Sequence, residues 1–368
     1  MVLTKIQRDK LLAPLQSVSG IVERRHTLPI LSNVLLEKKG ERLTLLATDI
    51  EIQVTTVAEG AGGEGDGAVT VGARKLQDIL RSLPEGAEVS LVLDEKRLQI
   101  CSGRSRFSLQ ILPANDFPRM TVTEGETKQF KISQRAFRQL LAKTQYAMAT
   151  QDVRYYLNGL MLLVERRELS TVATDGHRLA YASVEIDADF PRQEMIIPRK
   201  TVLELNRLLM DSDDPLTITL ASNQVRFSFS AVVLVSKVID GKFPDYERVV
   251  PVGLQNYFTV ARPVLLQAMN RAAILTNEKF RGVRIVLGDG SLKLIAANAE
   301  QEEAQEELEV EYTGDAIDVG FNIGYLLDVL NNVHVDEIKW SFNDANSSSL
   351  ITIPNNDRFK YVVMPMRI

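Results

Sequence analysis

Few residues of this 368-residue chain are of types and spacings that could do chemistry. Asp175 and His177 are separated by one residue, so the carboxylate could orient the imidazole as a general base. No Gly-x-Ser-x-Gly elbow, His-Glu-x-x-His motif or phosphate loop accompanies the pair, and alone it is weak evidence for an enzyme. The other histidines, His26 and His334, have no companions at metal-ligand spacing. The sequence therefore predicts no catalytic residue and no metal site.

Two further features could suggest a cofactor or redox chemistry, and neither supports it. The run GAGGEGDG at 60–67 lacks the Gly-Lys-Ser/Thr ending of a phosphate loop and is interpreted as a flexible turn. Cys101 is the only cysteine, which excludes an intrachain disulfide and a cysteine-based zinc site. The first residues lack the apolar core of a signal peptide, and no run approaches the ~18 apolar residues of a membrane span. We expect a cytoplasmic protein without a cofactor and without membrane contact.

The stretch that contains Asp175 is one of three related copies. LTLLATD at 43–49, LSTVATD at 169–175 and LKLIAAN at 292–298 are spaced by 126 and 123 residues. The Phe-Pro pairs at 117–118 and 243–244 keep the offset of 126. Independent landmarks that share one offset indicate a tandem repeat. We predict three domains of ordinary size, at 1–125, 126–252 and 253–368.

Each repeat has the pattern helix, strands, helix, strands, which places the chain in the α+β class. Amphipathic spacing predicts helices at 7–22, 74–83, 134–148, 200–210, 263–275 and 323–331. Alternating apolar residues predict strands that include 28–36, 43–57, 88–93, 97–102, 107–112 and a last strand at 360–364. The segments 113–126 and 239–253 are rich in Pro, Gly and acidic residues, and we interpret them as linkers.

Charge is unevenly distributed along the chain, although the net charge is only −5. The segment 131–150 carries four Lys or Arg and no acid, and 261–277 carries two arginines and no acid. Such helices suit phosphate contacts that do not read bases, and solvated helix faces are an equally simple explanation.

The two ends of the chain carry opposite charges. The segment 300–311 has seven Glu and no Lys or Arg, whereas Lys96, Arg97, Arg104 and Arg106 form a basic group near the other end. A head-to-tail contact between such ends closes into a ring when the rotation permits. The alternative is that both segments are exposed strands that avoid aggregation through their charge.

Six motifs resemble those of one family, the bacterial DNA polymerase III β subunits or sliding clamps: LPILSNVLLE, DVRYYLNGL, VATDGHRLA, DGKFPDY, NEKFRGVR and the terminal YVVMPMRI. Their order and distances match along the whole chain. The resemblance implies three tandem DNA-clamp domains and a head-to-tail dimer that forms a six-domain ring, with helices lining the central channel and sheets outside. It also implies a non-catalytic processivity factor that encircles duplex DNA without reading its sequence. DNA polymerases, the clamp loader complex and repair proteins would bind it through linear motifs.

The resemblance assigns three groups of residues. The peptide-binding pocket would be formed by Leu157, Thr174, Gly176, His177, Arg178, Leu179, Pro244, Arg248, Val249, Val362, Val363, Met364, Pro365, Met366 and Arg367. The DNA-binding positions would be Arg25, Gln151, Tyr155, Tyr156, Arg199 and Lys200. The dimer interface would contain Lys75, Ile79, Leu83, Arg97, Arg104, Arg106, Phe107, Leu109, Ile274, Leu275, Glu300, Glu302, Glu303 and Glu306.

The residue types suit the pocket. Met364 and Met366 are flexible and can repack around different apolar side chains. Arg178, Arg248 and Arg367 can donate hydrogen bonds to the oxygen atoms of a peptide. Two other hypotheses remain open. One is a hydrolase that uses Asp175 and His177, and its turnover would be lost in His177→Ala. The other is a scaffold that binds peptides and shows no salt-sensitive association with DNA.

Overall fold

The computed structural model describes residues 1–23, 28–63, 65–121 and 127–367. Two compact units can be distinguished in the chain. The first unit is Met1–Arg135 with Leu203–Val238, and the second unit is Ala136–Val202 with Ile239–Ile368. The domain boundaries predicted from the repeat, after residues 125 and 252, remain a prediction.

The α-helices within the described ranges are α1 (Arg8–Ser19), α2 (Ala73–Ser82), α3 (Gln134–Ala142), α4 (Arg199–Leu208), α5 (Arg262–Ala272) and α6 (Ile323–Asn332). All six predicted helices are confirmed. The largest difference is at the end of α3, which was predicted to reach residue 148. The hydroxyl of Thr144 donates to the carbonyl oxygen of Leu140 at 3.2 Å, and such a bond competes with the helical pattern. A 3-10 helix at Gln145–Ala147 follows.

The strands within the described ranges are β1 (Val2–Gln7), β2 (Asn33–Lys39), β3 (Arg42–Thr48), β4 (Ile52–Glu59), β5 (Gly67–Gly72), β6 (Glu88–Leu93), β7 (Arg97–Ser102), β8 (Ser105–Leu112), β9 (Lys128–Ser133), β10 (Gly159–Thr174), β11 (Arg178–Pro198), β12 (Pro215–Leu220), β13 (Gln224–Phe229), β14 (Val232–Lys237), β15 (Asn256–Ala261), β16 (Gly282–Gly288), β17 (Ser291–Ala297), β18 (Glu303–Glu309), β19 (Ile317–Asn322), β20 (Glu337–Phe342), β21 (Ser349–Ile353) and β22 (Asn356–Val363). Runs of antiparallel strands thus separate single helices along the chain, as expected for the α+β class.

The first unit contains a twelve-stranded sheet with the order β1-β6-β7-β8-β5-β2-β3-β4-β14-β13-β12-β9. Two strand predictions were wrong in detail. The predicted strand at 43–57 is divided into β3 and β4, because the Asp49 carboxylate accepts the N–H groups of Glu51 and Ile52 and closes a turn. The predicted strand at 28–36 begins as a 3-10 helix at Pro29–Ser32, where proline has no N–H to donate to a sheet.

The second unit contains a six-stranded sheet, β10-β11-β22-β21-β20-β15, and a four-stranded sheet, β18-β17-β16-β19. Strands β10 and β11 form a long antiparallel hairpin in which Thr174 pairs with Leu179. On its other side β11 pairs with β22, so that Leu179 lies opposite Val362. The turn of this hairpin, residues 175–177, therefore lies next to the end of β22.

The predicted linkers are anchored by buried aromatic side chains. Phe117 is 4% exposed and packs with Leu35 and Leu46 in the first unit. Phe243 and Tyr246 belong to an apolar cluster of the second unit, together with Leu179 and neighbouring side chains of the six-stranded sheet. The described parts of the two segments, 113–121 and 239–253, are largely irregular and pack onto the sheets through these side chains, and their role as linkers between domains stays a prediction. No helix in the described ranges is long and apolar enough to cross a membrane.

Candidate functional site

The turn at residues 175–177 is built by a carboxylate and a glycine. Asp175 Oδ1 accepts hydrogen bonds from the backbone N–H groups of His177 (2.9 Å) and Arg178 (3.1 Å). Gly176 has a φ of +90°, a left-handed conformation that favours glycine. A Cβ atom at this position would lie 2.9 Å from Nη2 of Arg154. Aspartate and glycine here thus have a structural reason that is independent of catalysis.

These contacts do not resemble an acid–base pair. While Asp175 Oδ1 closes the turn, Oδ2 accepts the Nε–H of Arg178 at 3.1 Å. His177 is exposed, and it receives the Asp175 bond through its backbone. Across the described ranges, no cluster of three or more His, Cys, Asp or Glu side chains could hold a metal ion. The arrangement can fix a surface turn, and we derive no catalytic step from it.

Arg178 lies beneath this turn and is 9% exposed. Its Nη1 donates to Asp328 Oδ2 at 2.5 Å, and its Nη2 donates to the carbonyl oxygen of Tyr146 at 2.6 Å. The guanidinium carbon lies 4.4 Å from the ring centroid of Tyr325. Together with the bond to Asp175, these contacts hold the guanidinium in the protein interior. These contacts show that Arg178 supports the turn, and its role as a ligand of the peptide stays a prediction.

The end of the chain runs beside the turn. The N–H of Met364 donates to the carbonyl oxygen of His177 at 2.9 Å, and the N–H of Met366 donates to that of Gly320 at 2.8 Å. The last strand, β22, ends at Val363, one residue before the predicted end. Met364 to Arg367 continue beyond the strand, and these two hydrogen bonds hold them in place.

The predicted pocket residues fall into a buried group and a partly or fully exposed group. Those that are buried are Leu157, Thr174, Arg178, Leu179, Val362 and Val363. Those that are half-buried or exposed are Gly176, His177, Pro244, Arg248, Val249, Met364, Pro365, Met366 and Arg367. Val249 is 44% and Met364 47% exposed, so they offer apolar surface to a partner. Leu179 and Val363 are 1% and 0% exposed and belong to the core, and their place in the pocket stays a prediction.

Three of the predicted DNA-binding residues, Gln151, Tyr155 and Tyr156, lie in the loop 149–158 of the second unit, and Arg199 bonds to Asn158 at its end. Gln151 is exposed with a φ of +58°, and Tyr155 is 58% exposed. The rings of Tyr155 and Tyr156 meet edge to face with centroids 5.9 Å apart. Arg199, at the start of α4, donates from Nη1 to the carbonyl oxygen of Met148 at 3.2 Å. Lys200 follows in α4 and is half-buried, and Arg25 lies outside the described residues.

Sequence analysis missed Arg154, which connects this loop to the turn. Its Nε and Nη2 donate to the two carboxylate oxygens of Asp152 at 3.0 and 2.9 Å. Nη2 also lies 3.4 Å from the carbonyl oxygen of Asp175. The Asp-x-Arg spacing within DVRYYLNGL was a usable signal, because a side chain two residues away can reach the carboxylate.

The Asp152–Arg154 pair predicts an acid-sensitive loop. Hydrogen bonds from the Arg154 side chain and backbone lower the pKa of Asp152 from 3.8 to about 2. A lowered folded-state pKa adds stability above the unfolded pKa, and this stability is lost as the pH falls through the folded pKa. Asp152→Asn should therefore lower the thermal unfolding midpoint by a constant amount above about pH 5, and the difference should shrink between about pH 4 and 2. Asp357→Asn, outside this network, is the control. A difference that is independent of pH would contradict the assignment.

The predicted interface residues of the first unit lie on α2, β7 and β8, apart from Leu83, which follows α2, and Arg104, in the turn between β7 and β8. Strand β8 pairs with β5 only through Leu112 and Ile111, so the remainder of that edge is open. Phe107 and Leu109 on β8 are half-buried. Leu83 is 7% exposed and belongs to the core of its own unit, which leaves it little surface for a partner.

In the second unit the more exposed of the two apolar predicted interface residues is Ile274, at 76%. It lies in the 3-10 helix Ala273–Leu275 that follows α5. Glu300, Glu302 and Glu303 are exposed. Glu306, which was expected to pair across the interface, accepts the Nε–H of Arg271 of its own chain at 2.8 Å.

The Arg271–Glu306 ion pair also bears on the prediction that α3 and α5 present basic surfaces to phosphates. Arg271 of α5 is neutralised by Glu306. Arg135 of α3 forms ion pairs with Asp211 at 2.7 Å and Asp213 at 2.9 Å. Two of the cations that were expected to face phosphates therefore have acidic partners in their own unit.

Family models for the DNA polymerase III beta subunit match the chain in three consecutive segments. The N-terminal domain model matches residues 2–121, the central domain model 131–245 and the C-terminal domain model 247–367. Beta sliding clamps from Pseudomonas aeruginosa and Escherichia coli K12 are 48% and 45% identical to the chain, over 99% of both lengths in each case.

Solved structures give the same result. A DNA polymerase III subunit beta from Pseudomonas aeruginosa has a TM-score of 0.94 at 46% identity, covering 99% of this chain and 100% of that chain. A sliding clamp from the same organism bound to griselimycin has a TM-score of 0.94 at 47% identity, over 99% of both chains. A Caulobacter crescentus beta sliding clamp has a TM-score of 0.94 at 39% identity, covering 99% of this chain and 98% of that chain.

Proposed function

Because the chain belongs to the DNA polymerase III β-subunit family, the bacterial sliding clamps, we propose that its partner proteins dock at the peptide-binding pocket beside the 175–177 turn. It is a processivity factor, a non-catalytic subunit built from three tandem clamp domains that keeps the replicative polymerase on DNA. The hypothesis of a hydrolase centred on Asp175 and His177 was therefore wrong.

One observation carries the proposal for the pocket. Met364 exposes apolar surface next to a turn whose backbone is fixed by Asp175, and Val249 is exposed beside Val250, which packs against the apolar cluster that contains Leu179. The flexible thioether side chain of Met364 can adapt to different apolar residues. A short extended segment with one or two apolar side chains could cover both residues, as linear motifs of DNA polymerases, the clamp loader complex and repair proteins would do. The surrounding arginines, Arg248 and Arg367, are exposed and can reach its backbone or carboxylate oxygens.

A peptide-binding measurement tests this pocket. Met364→Ala should weaken the binding of a polymerase-derived peptide about tenfold, because most of one Met side chain would no longer be buried against the ligand. Met210→Ala is the matched control, since Met210 is 59% exposed but belongs to the first unit. Fluorescence polarisation with a labelled peptide gives both affinities. If wild type, Met364→Ala and Met210→Ala bind the peptide equally, the peptide occupies another surface.

We also propose that two protomers associate head to tail into a six-domain ring. Two sheet edges of opposite charge support this contact. Strand β18 is the outer strand of the four-stranded sheet, and its acidic residues alternate with half-buried Ala304 and Leu308. The open edge of β8 carries Arg106 beside half-buried Phe107 and Leu109. The β18 edge is thus acidic and the β8 edge basic, and both include half-buried apolar side chains.

The ring would encircle duplex DNA without reading its sequence. Gln151, Tyr155 and Arg199, which lie close together in the second unit, can supply weak contacts to the phosphate backbone. The negative overall charge gives no general attraction to DNA, so we propose that a loader using ATP places the ring on DNA. The protein would perform this role in the cytoplasm.

A further inference from the structure

We propose that Asp328, on α6, is a positioning residue for the peptide-binding pocket. Its carboxylate holds Arg178, and Arg178 in turn holds the turn against which Met364 lies. The inference rests on the proposed function of the pocket, but it concerns a residue outside the predicted pocket set.

The buried guanidinium of Arg178 needs fixed partners. A guanidinium that is 9% exposed is costly to bury unless it is paired and hydrogen-bonded. Asp175 and Asp328 supply the two carboxylates, and the 2.5 Å bond to Asp328 is short even for a charge-assisted pair. The ring of Tyr325, one turn before Asp328 on α6, covers one face of the guanidinium. Helix α6 thus supplies both a charge and a surface that define where Arg178 lies.

Asp175 and the 175–177 turn connect Arg178 to the surface of the pocket. The Asp175 carboxylate binds Arg178 with one oxygen and closes the turn with the other. The carbonyl oxygen of His177, within that turn, accepts the N–H of Met364. A displacement of Arg178 would therefore shift the carboxylate, the turn and the exposed methionine in sequence.

Replacing Asp328 should change the peptide affinity and leave the fold intact. The side chain of Asp328 is 45% exposed, so its removal opens a path for water to the guanidinium. Asp175 and the carbonyl oxygen of Tyr146 would still bind Arg178. We expect the fold to persist while the orientation of Arg178 becomes less well defined, so the loss should appear in peptide affinity.

The experiment compares two Arg–Asp pairs of the second unit in which the aspartate is partly exposed. Asp328→Ala should weaken peptide binding about tenfold, on the scale of one charge-assisted hydrogen bond. Asp318→Ala is the control, because it removes the partner of Arg284, an equally short pair in which the aspartate is 50% exposed. Amide hydrogen exchange should become faster at His177 and Met364 in Asp328→Ala and stay unchanged there in Asp318→Ala. Asp328→Glu, which keeps the charge, should recover part of the affinity.

Three outcomes are decisive. Wild-type affinity in Asp328→Ala would overturn the positioning role, and the proposed pocket would still stand if Met364→Ala binds weakly. Loss of affinity together with faster exchange throughout the second unit would also overturn it, because the effect would then be one of general stability. Failure of the wild-type protein to bind any polymerase-derived peptide would instead contradict the proposed function.

Discussion

Replacing Ile274 and Leu275 together by alanine is expected to convert the proposed dimer into folded monomers. Ile274 is 76% exposed in the single chain, and Leu275 is half-buried beside it in the 3-10 helix after α5. A large aliphatic side chain so exposed indicates a contact surface when other features point to a partner. Because so little of Ile274 packs against its own unit, its truncation should leave the protomer stable.

The size of this effect follows from the symmetry of the ring. Truncating one buried Ile or Leu side chain costs about 2 kcal/mol. A closed ring of two protomers contains two identical contacts, so the four truncations together should cost about 8 kcal/mol, or more than 10⁵-fold in Kd. Exposed ion pairs typically contribute only ~0 to 1 kcal/mol. Glu306, already bound to Arg271, should contribute little to the rim.

Light scattering at micromolar concentration measures the result. The double variant should have the mass of one protomer, 41.1 kDa, while wild type has about twice that mass. Val252→Ala is a suitable control, since Val252 is 88% exposed but lies outside the predicted interface. A double variant that remains dimeric, with a control that is also dimeric, would show that the interface lies elsewhere.

The helices could be predicted from the sequence because their signals are local. Apolar spacing located all six within a few residues, apart from the early end of α3. The division of β3 from β4 was missed because it depends on a single side chain: Asp49 closes a turn inside a run with good strand propensity. Such a bond competes with the strand pattern but leaves little trace in composition.

The candidate site was predictable in its position and less so in its roles. The motif around Asp175 and the terminal YVVMPMRI are indeed adjacent, since β11 pairs with β22. The contact of Arg178 with Asp328 was missed because the two residues are 150 positions apart. The Arg271–Glu306 pair was missed for a related reason. Sequence shows which charges a segment carries, whereas a fold decides which of them neutralise one another.

Retention of the ring on DNA should be topological. A protein with a net charge of −5 cannot depend on strong general attraction to phosphate. Two of its expected helix cations, Arg135 and Arg271, have acidic partners in their own units. Direct affinity for a linear duplex should therefore be low, and it should fall steeply with salt because each neutralised phosphate releases counterions. A closed ring threaded by a circular duplex, in contrast, cannot leave by breaking weak contacts alone.

The most direct test loads the protein onto nicked circular DNA with a clamp loader and ATP, and then washes the complex at high salt. The expected result is that the ring remains on the circle and is released when a restriction enzyme linearises the DNA, because it slides off the free ends. The Ile274→Ala, Leu275→Ala double variant should be lost from the circle at once. Equal salt-resistant retention on circular and linearised DNA would contradict encirclement and indicate ordinary backbone binding.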